Sequence, residues 1–361
     1  MKSERLASVD FFRGITMFLL IGEFTHIFTY MTSPLFEGGV LDWIGTQFHH
    51  HPWSGMRFWD LVQPFFMFIV GVAIPLSARK RTERGDSKPK LLKHAFGRAG
   101  LLLFFGWALY CIDPGKITFN FQNVLAQLSL TYLVAFLLRD TKNWIQIGVS
   151  VGVLILTEVL YRTFSVPGYD QPFTPDQNFG AWFDMLISGQ LSGGHWVSFN
   201  AIPTTAHTIW GVLIGKLIIG SKTQRQKTVI MLLVGIGLIA AGMLYDLATP
   251  VIKRISTASF VVLSGGWSII AMAVSYWIID VKGYKNWSTM FAIVGMNPLF
   301  IYLFAHVGGA DLVYNVFKPF TYFLMSWTDE IYGKLFTSLI TWTFLWYLCY
   351  WLYKRRIFIK I

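Results

Sequence analysis

Three consecutive histidines, His49, His50 and His51, stand just before residues 52–55 (Pro-Trp-Ser-Gly) and between two long apolar segments. Imidazole is the side chain that exchanges protons near neutral pH without help from its surroundings. Asp60 follows His50 by ten residues, and a carboxylate there can orient the imidazole and stabilise its protonated form. The spacing therefore predicts acid–base chemistry, against the alternative of a solvated loop. Asp60 can equally cap the next helix.

Ionisable residues also occur inside the first apolar segment, where each needs a partner or a function. Asp10 and Arg13 have the spacing of neighbours on one helical face, and we predict a structural ion pair. Glu23 and His26 repeat that spacing near the outer end of the segment. With His51, they are the alternative catalytic candidates to His50.

Polar residues in the later segments predict binding functions. Lys253 and Arg254 lie where the other loops carry few basic residues, shortly before Ser259 in the run 256–260. A basic pair on the side that otherwise carries few basic residues indicates an anionic partner. The alternative is that the two side chains extend to the lipid headgroups. Asn297 precedes a proline that frees a backbone carbonyl; it either satisfies that carbonyl or lines a cavity.

The composition indicates a membrane protein. It is 54% hydrophobic and 17% aromatic, with 14% charged residues against about 25% in soluble domains. Repeated apolar runs of about 20 residues predict an all-α, polytopic bundle in a single domain, residues 1–361. The net charge of +11 is explained by basic loops at an anionic leaflet, so no nucleic-acid partner is expected. The two cysteines and the motifs predict no disulfide framework and no metal site.

We predict ten spanning helices, at about 9–30, 58–78, 95–112, 122–138, 143–162, 203–220, 228–246, 258–279, 288–305 and 333–353. The aromatic stretch 309–327 is either an eleventh span or a segment at the membrane surface. Basic clusters, above all the one at 79–98, place the connection after the second helix in the cytoplasm. An even number of crossings then puts both termini there.

The other side receives four loops, at about 31–57, 113–121, 163–202 and 247–257. The long loop 163–202 has no Lys or Arg but holds three aspartates and two tryptophans. It is interpreted as an ordered lid or groove wall, or else as a surface loop without function. His195 within it has no evident partner in the sequence.

The segment 5–14 (Arg-Leu-Ala-Ser-Val-Asp-Phe-Phe-Arg-Gly) resembles the opening of transmembrane acyltransferases related to heparan-α-glucosaminide N-acetyltransferase. The histidine loop is similar too, with His50, Trp53, Gly55 and Asp60 in the register of the family pattern. Further matches are Val124-Leu125 through Thr131-Tyr132, 201–205, Pro250 through Lys253-Arg254 to 257–260, and 295–297. Short bacterial members of uncharacterised function are the most similar group.

The resemblance implies acetyl transfer from cytosolic acetyl-CoA to an amino sugar on the far side of the membrane, without a metal. His50 would be the general base or a transient acyl carrier. Asp60 and Asn297 would assist it, and Trp53, Ser259, Lys253 and Arg254 would bind substrate or CoA. A homodimer in a bacterial cytoplasmic (inner) membrane is also implied.

The sequence departs from the family pattern at Glu23-Phe24-Thr25 and Ala126-Gln127, where the family has an Asn and Gln-Arg. Two other hypotheses therefore stay open. One is a transporter or export partner for glycans or small molecules, although no internal repeat is evident. The other is a non-catalytic membrane protein on the same fold.

Overall fold

The computed structural model describes residues 6–112 and 114–359, and over this range the chain consists of helices and connecting loops. The α-helices are α1 (Ala7–Glu23), α2 (Ile27–Met31), α3 (Val40–Gln47), α4 (Val62–Thr82), α5 (Lys88–Ile112), α6 (Val124–Leu138), α7 (Asn143–Thr163), α8 (Phe179–Ser188), α9 (Thr205–Ile219), α10 (Gln224–Asp246), α11 (Ala258–Ser275), α12 (Ser288–Val294), α13 (Pro298–Phe304), α14 (Ala310–Leu324) and α15 (Glu330–Lys354). Short 3₁₀ helices cover Pro34–Phe36, Phe58–Leu61 and Ser198–Ala201, and π-helical turns cover Tyr276–Val281 and Ala305–Gly309.

Eight helices of the described residues are long and apolar enough to cross a membrane. The prediction of an all-α, polytopic membrane protein is confirmed. Two of the ten predicted spans are shorter than this, since α1 has 17 residues and α6 has 15. The count of ten crossings, and the side on which each loop lies, stay predictions.

The outward surface of α10 shows why the fold needs a membrane. Large apolar side chains along this helix are exposed, among them Leu233, Ile236, Met243 and Leu244. A continuous apolar surface of this kind is unfavourable in water, and the hydrocarbon core of a bilayer covers it. The protein is therefore an integral membrane protein.

The first predicted span, 9–30, is interrupted in the structure. α1 ends at Glu23, and His26 adopts a left-handed backbone with φ of 62° before α2 begins. The apolar pattern continues through Phe24, Ile27 and Phe28, so hydrophobic periodicity alone did not reveal the break.

The ninth predicted span, 288–305, is also divided. α12 ends at Val294, and Asn297 has φ of −126° and ψ of 49°, outside the helical region. A residue before proline is disfavoured in α-helical geometry, and α13 starts at Pro298. Residues 298–324 then form one candidate span, bent at Val307–Gly308; whether the stretch 309–327 crosses the membrane or lies at its surface stays a prediction.

The described residues group into two compact units, each assembled from separate stretches of chain. Unit 1 comprises residues 51–56 and 63–277, and unit 2 comprises residues 6–50, 57–62 and 278–359. The single domain predicted for residues 1–361 stays a prediction.

Glycines set the closest helix crossing of unit 1. A β-carbon added at Gly71 of α4 would collide with the Thr208 carbonyl of α9, and one at Gly211 would collide with the Phe68 carbonyl. The two backbones therefore lie in direct contact, an arrangement that small residues permit between membrane helices.

Unit 2 has a similar contact around α1. A β-carbon at Gly14 would meet the Phe291 carbonyl of α12, and one at Gly295 would lie 2.9 Å from the Gly14 nitrogen. Aromatic rings complete this packing, with Phe18 stacked on Trp342 of α15 at 4.6 Å between centroids.

Candidate active site

His50 and Asp60 lie together in unit 2. His50 Nδ1 is 2.8 Å from Asp60 Oδ1, with 29% of the His50 side chain exposed and 1% of the Asp60 side chain. The second carboxylate oxygen accepts a hydrogen bond of 2.9 Å from the Arg57 backbone N–H. Both oxygens are thus held, and Asp60 both orients the imidazole and caps the turn Phe58–Leu61. If Nδ1 carries the shared proton, the lone pair is on Nε2, as a general base requires.

The turn that carries Asp60 is anchored by its neighbour Trp59. The Trp59 indole N–H donates to Glu23 Oε1 at 2.9 Å, from a ring that is 2% exposed. Phe28 and Phe48, stacked at 4.0 Å, pack against the same indole. Glu23, an alternative catalytic candidate, therefore lies at the end of α1 as the acceptor for Trp59.

The two histidines beside His50 have different surroundings. Burial lowers the pKa of His49, and a backbone hydrogen bond to Phe28 only partly opposes this effect. His51 belongs to unit 1 and packs against Gly55, whose φ is 129°; a β-carbon there would lie 2.7 Å from His51 Nε2. Gly55 of the family pattern thus makes room for His51.

His26, an alternative catalytic candidate, pairs with a carboxylate of another helix. The left-handed residue turns its ring toward α14, where Nε2 is 3.0 Å from Asp311 Oδ1. Both side chains are largely exposed, at 48% and 62%. Because α1 has already ended at Glu23, the three-residue spacing carries no helical neighbour relation here.

Asn297 binds the C-terminal segment. Its amide nitrogen donates to the Ile357 carbonyl at 3.0 Å, and its oxygen accepts from the Ile359 N–H at 2.8 Å. The adjacent Gly295 lies against Gly14 and the Asp10 carbonyl, whereas Trp59 meets α1 at Glu23. Nine residues of helix separate Gly14 from Glu23, about 13 Å of rise. The structure therefore does not bring Asn297 to His50.

The beginning of α1 contains the predicted ion pair, with Arg13 3.1 Å from Asp10. A second carboxylate, which the sequence analysis missed, caps this helix: Asp280 accepts from the backbone N–H groups of Ala7 and Ser8 at 3.1 and 3.2 Å. Negative charge at a helix N-terminus is favourable.

Three of the four loops predicted on the outer side, and the residue that follows the fourth, form hydrogen bonds with one another in unit 1. Trp53 Nε1 donates to the Phe173 carbonyl at 2.7 Å, and the Gly55 N–H donates to the Val251 carbonyl at 2.8 Å. Gln122, which follows the 113–121 loop, donates to Asp184 at 2.7 Å. Loops that meet in this way are expected to share one side of the membrane.

Asp184 is buried in this network and accepts from the Ser198 backbone N–H with both oxygens, at 3.0 and 3.2 Å. Burial raises the pKa of Asp184, and the bonds from Gln122 and Ser198 oppose that effect. The loop 163–202 is therefore ordered rather than loosely attached.

The basic pair near residue 250 surrounds Trp196. Arg254 stacks over the ring at 4.9 Å, and the Lys253 ammonium lies 5.4 Å from its centre. Arg254 also donates to the Gly194 carbonyl, and its own carbonyl accepts from Asn200 at 2.9 Å.

Ser259, predicted to bind substrate or CoA, is fully buried and donates to the Pro250 carbonyl at 3.1 Å. Its hydroxyl shapes the 250–259 turn.

The positions that depart from the family pattern are packed. Phe24 contacts Tyr302 and His306 edge-on, at 6.2 and 5.5 Å. Gln127 accepts from Gln63 and donates to the Gln122 carbonyl at 3.0 Å.

The sequence analysis missed a further His–Asp pair, in addition to His50–Asp60 and His26–Asp311. His195, for which the sequence shows no evident partner, has Nδ1 2.6 Å from Asp176 Oδ2 in the loop 163–202. The clustering of aspartates and a histidine in a loop without basic residues was the available signal.

Fold and site thus define a polytopic membrane protein with a buried Asp–His pair. Comparison with known proteins finds the predicted resemblance: the chain is similar to heparan-alpha-glucosaminide N-acetyltransferase over nearly its whole length. It is 27% identical to the mouse protein and 28% identical to the human one, over 99% of this chain and 61% and 60% of theirs. The chain spans about three fifths of the length of these curated relatives. A family model described as a domain of unknown function (DUF5009) matches residues 5–116.

Proposed function

We propose that this protein is a membrane acetyltransferase that moves an acetyl group from acetyl-CoA to the amino group of a sugar or glycan. The observation that carries the proposal is the 2.8 Å contact between His50 and the buried Asp60, in a chain homologous to acetyltransferases over nearly its whole length. We place the acceptor on the non-cytoplasmic side of a bacterial cytoplasmic membrane.

In the proposed reaction the acceptor amine attacks the thioester carbonyl of acetyl-CoA. His50 Nε2 takes the proton that the nitrogen loses, and Asp60 stabilises the imidazolium through Nδ1. The carbon–sulfur bond then breaks, and the CoA thiolate leaves and takes up that proton. In the stepwise variant Nε2 attacks the thioester carbonyl and the CoA thiolate leaves; the amine then displaces Nε2 from the acetyl group, and the proton that it loses passes to the thiolate.

A cavity of about 580 Å³ in unit 1 supports the proposal that acetyl-CoA is the acetyl donor. Four basic residues line it together with three acidic ones: Arg79 and Lys88 at the α4–α5 connection, Arg139 at the end of α6 and Lys216 near the end of α9, with Glu83, Asp86 and Asp140. The basic residues come from connections that the charge pattern places in the cytoplasm. We propose that this cavity receives the phosphates of CoA, which cationic side chains attract.

The test uses purified protein in lipid nanodiscs, labelled acetyl-CoA and a panel of amino sugars that includes glucosamine. We expect acetylated sugar with the wild type and with His51→Ala, and none with His50→Ala. His51→Ala is the matched control because it removes the neighbouring imidazole. A wild type that neither binds nor consumes acetyl-CoA would overturn the proposal. Movement of sugar across proteoliposomes without acetylation would favour a transporter.

A further inference from the structure

Asp176 and His195 form an ordered acid–base pair outside the candidate active site. The 2.6 Å distance between Oδ2 and Nδ1 is that of a strong hydrogen bond. Their side chains are 33% and 40% exposed, so the pair is held by the protein yet open to a ligand. Nothing in the proposed reaction uses it.

The backbone is held in an uncommon conformation at both residues. Asp176 and His195 each have φ of 59°, in the left-handed region that residues with a side chain rarely adopt. Neighbouring contacts fix this geometry, including the hydrogen bond of Arg254 to the Gly194 carbonyl and that of the His195 N–H to the Ser192 carbonyl at 3.0 Å.

Two tryptophans flank the pair within unit 1. Trp53 meets the His195 ring edge-on at 6.0 Å, and its indole N–H is fixed on the Phe173 carbonyl. Trp196 follows His195 directly and lies under Arg254. Small-molecule sites typically combine fixed aromatic rings with a few oriented polar groups. A pyranose ring can stack its C–H face on an aromatic side chain.

We propose that Asp176, His195 and Trp53 bind a pyranose ring of an amino sugar or glycan. Asp176 accepts hydrogen bonds from its hydroxyls, His195 fixes the carboxylate and donates or accepts one more, and Trp53 packs against the ring. This inference rests on the proposed function for the identity of the ligand as an amino sugar, but the binding is measurable without the reaction.

The experiment combines equilibrium titration with saturation-transfer NMR of glucosamine on the full chain in nanodiscs. Asp176→Asn and His195→Gln are expected to raise the Kd for glucosamine at least tenfold. They should leave the Kd for acetyl-CoA unchanged and abolish the NMR saturation-transfer signal. Asp170→Asn, an exposed aspartate of the same loop, is the matched control and should behave as the wild type.

Unchanged Kd and NMR signal in both variants would overturn the inference, as would the absence of any glucosamine signal on the wild type. A glucosamine signal that Asp176→Asn removes, in a protein that never acetylates the sugar, would support the site while refuting the proposed function. Acetyl-CoA binding by each variant verifies that it is folded. Two conservative variants are used so that a folding defect in one does not decide the result.

Discussion

The Trp59 indole N–H donates to the Glu23 carboxylate at 2.9 Å, and this hydrogen bond joins the end of α1 to the residue before Asp60. Since Trp59 is almost fully buried, its N–H has no water to replace a lost acceptor. The position of Asp60, and with it the orientation of His50, thus depends on Glu23, which lies 36 positions before Trp59 in the chain.

Glu23→Leu should therefore destabilise the protein by about 1–3 kcal/mol, the cost of a buried donor without an acceptor. Glu23→Gln keeps an oxygen for the indole and should lose much less. Thermal unfolding in nanodiscs, followed by intrinsic fluorescence, compares the two. Equal losses in both variants would mean that the charge of Glu23, not its acceptor oxygen, is what matters.

Asp60→Asn should reduce acetyl transfer by about 1,000-fold or more, by analogy with the effect of the wrong tautomer in other Asp–His pairs. The Arg57 backbone N–H needs an oxygen acceptor from the side chain at position 60. The new amide would therefore turn its oxygen toward Arg57 and its NH₂ group toward His50 Nδ1. The imidazole would then keep its proton on Nε2 and could not act as a base. Asp42→Asn, at a partly buried carboxylate of α3, is the control; similar rates for both variants would contradict the role of Asp60.

Asn297→Ala distinguishes a structural role from a catalytic one. Loss of the hydrogen bonds to Ile357 and Ile359 should lower the free energy of unfolding by about 1–3 kcal/mol. Well below the unfolding temperature, transfer should stay within a few fold of the wild type. A loss of about 100-fold or more, typical of a missing oxyanion donor, would instead support a catalytic role for Asn297.

His49 should make stability depend on pH. Burial lowers its pKa below the usual value of 6.5, so the unfolded chain binds a proton more readily than the folded one. Its contribution to stability is complete above pH 6.5 and is lost as the pH falls toward the lowered pKa. Between pH 7.5 and 5.5, the unfolding temperature of the wild type should fall more than that of His49→Gln. Parallel curves for the two proteins would count against this.

Gly71→Ala should destabilise unit 1, because the new methyl group meets the Thr208 carbonyl where α4 and α9 touch. Gly97→Ala in α5 is its matched control, since a β-carbon there has open space. That second change should be neutral or stabilise by about 0.5–1 kcal/mol through helix propensity. Thermal unfolding of the two variants measures the difference; equal effects would contradict the close crossing.

The sequence predicted what depends on local spacing and hydrophobicity. Apolar runs indicated the membrane helices, and a short turn between His50 and Asp60 was enough to suggest their contact. Prediction from the sequence failed where tertiary contacts interrupt a helix within a continuous apolar run or bring together residues that are distant in the chain. The left-handed backbone of His26 ends α1 within an unbroken apolar run, and Asn297 is recruited by a segment 60 residues away. The Asp176–His195 pair needs two left-handed residues that no local pattern indicates.

The exposed apolar side chains of α10 also determine how this protein must be handled. Outside lipid, Leu233, Ile236 and Met243 would drive copies of the chain to aggregate, and unfolding would become irreversible. Detergent or lipid is therefore a component of every comparison between variants. Its type and ratio to protein have to be held constant before a difference in rate or melting temperature can be assigned to a residue.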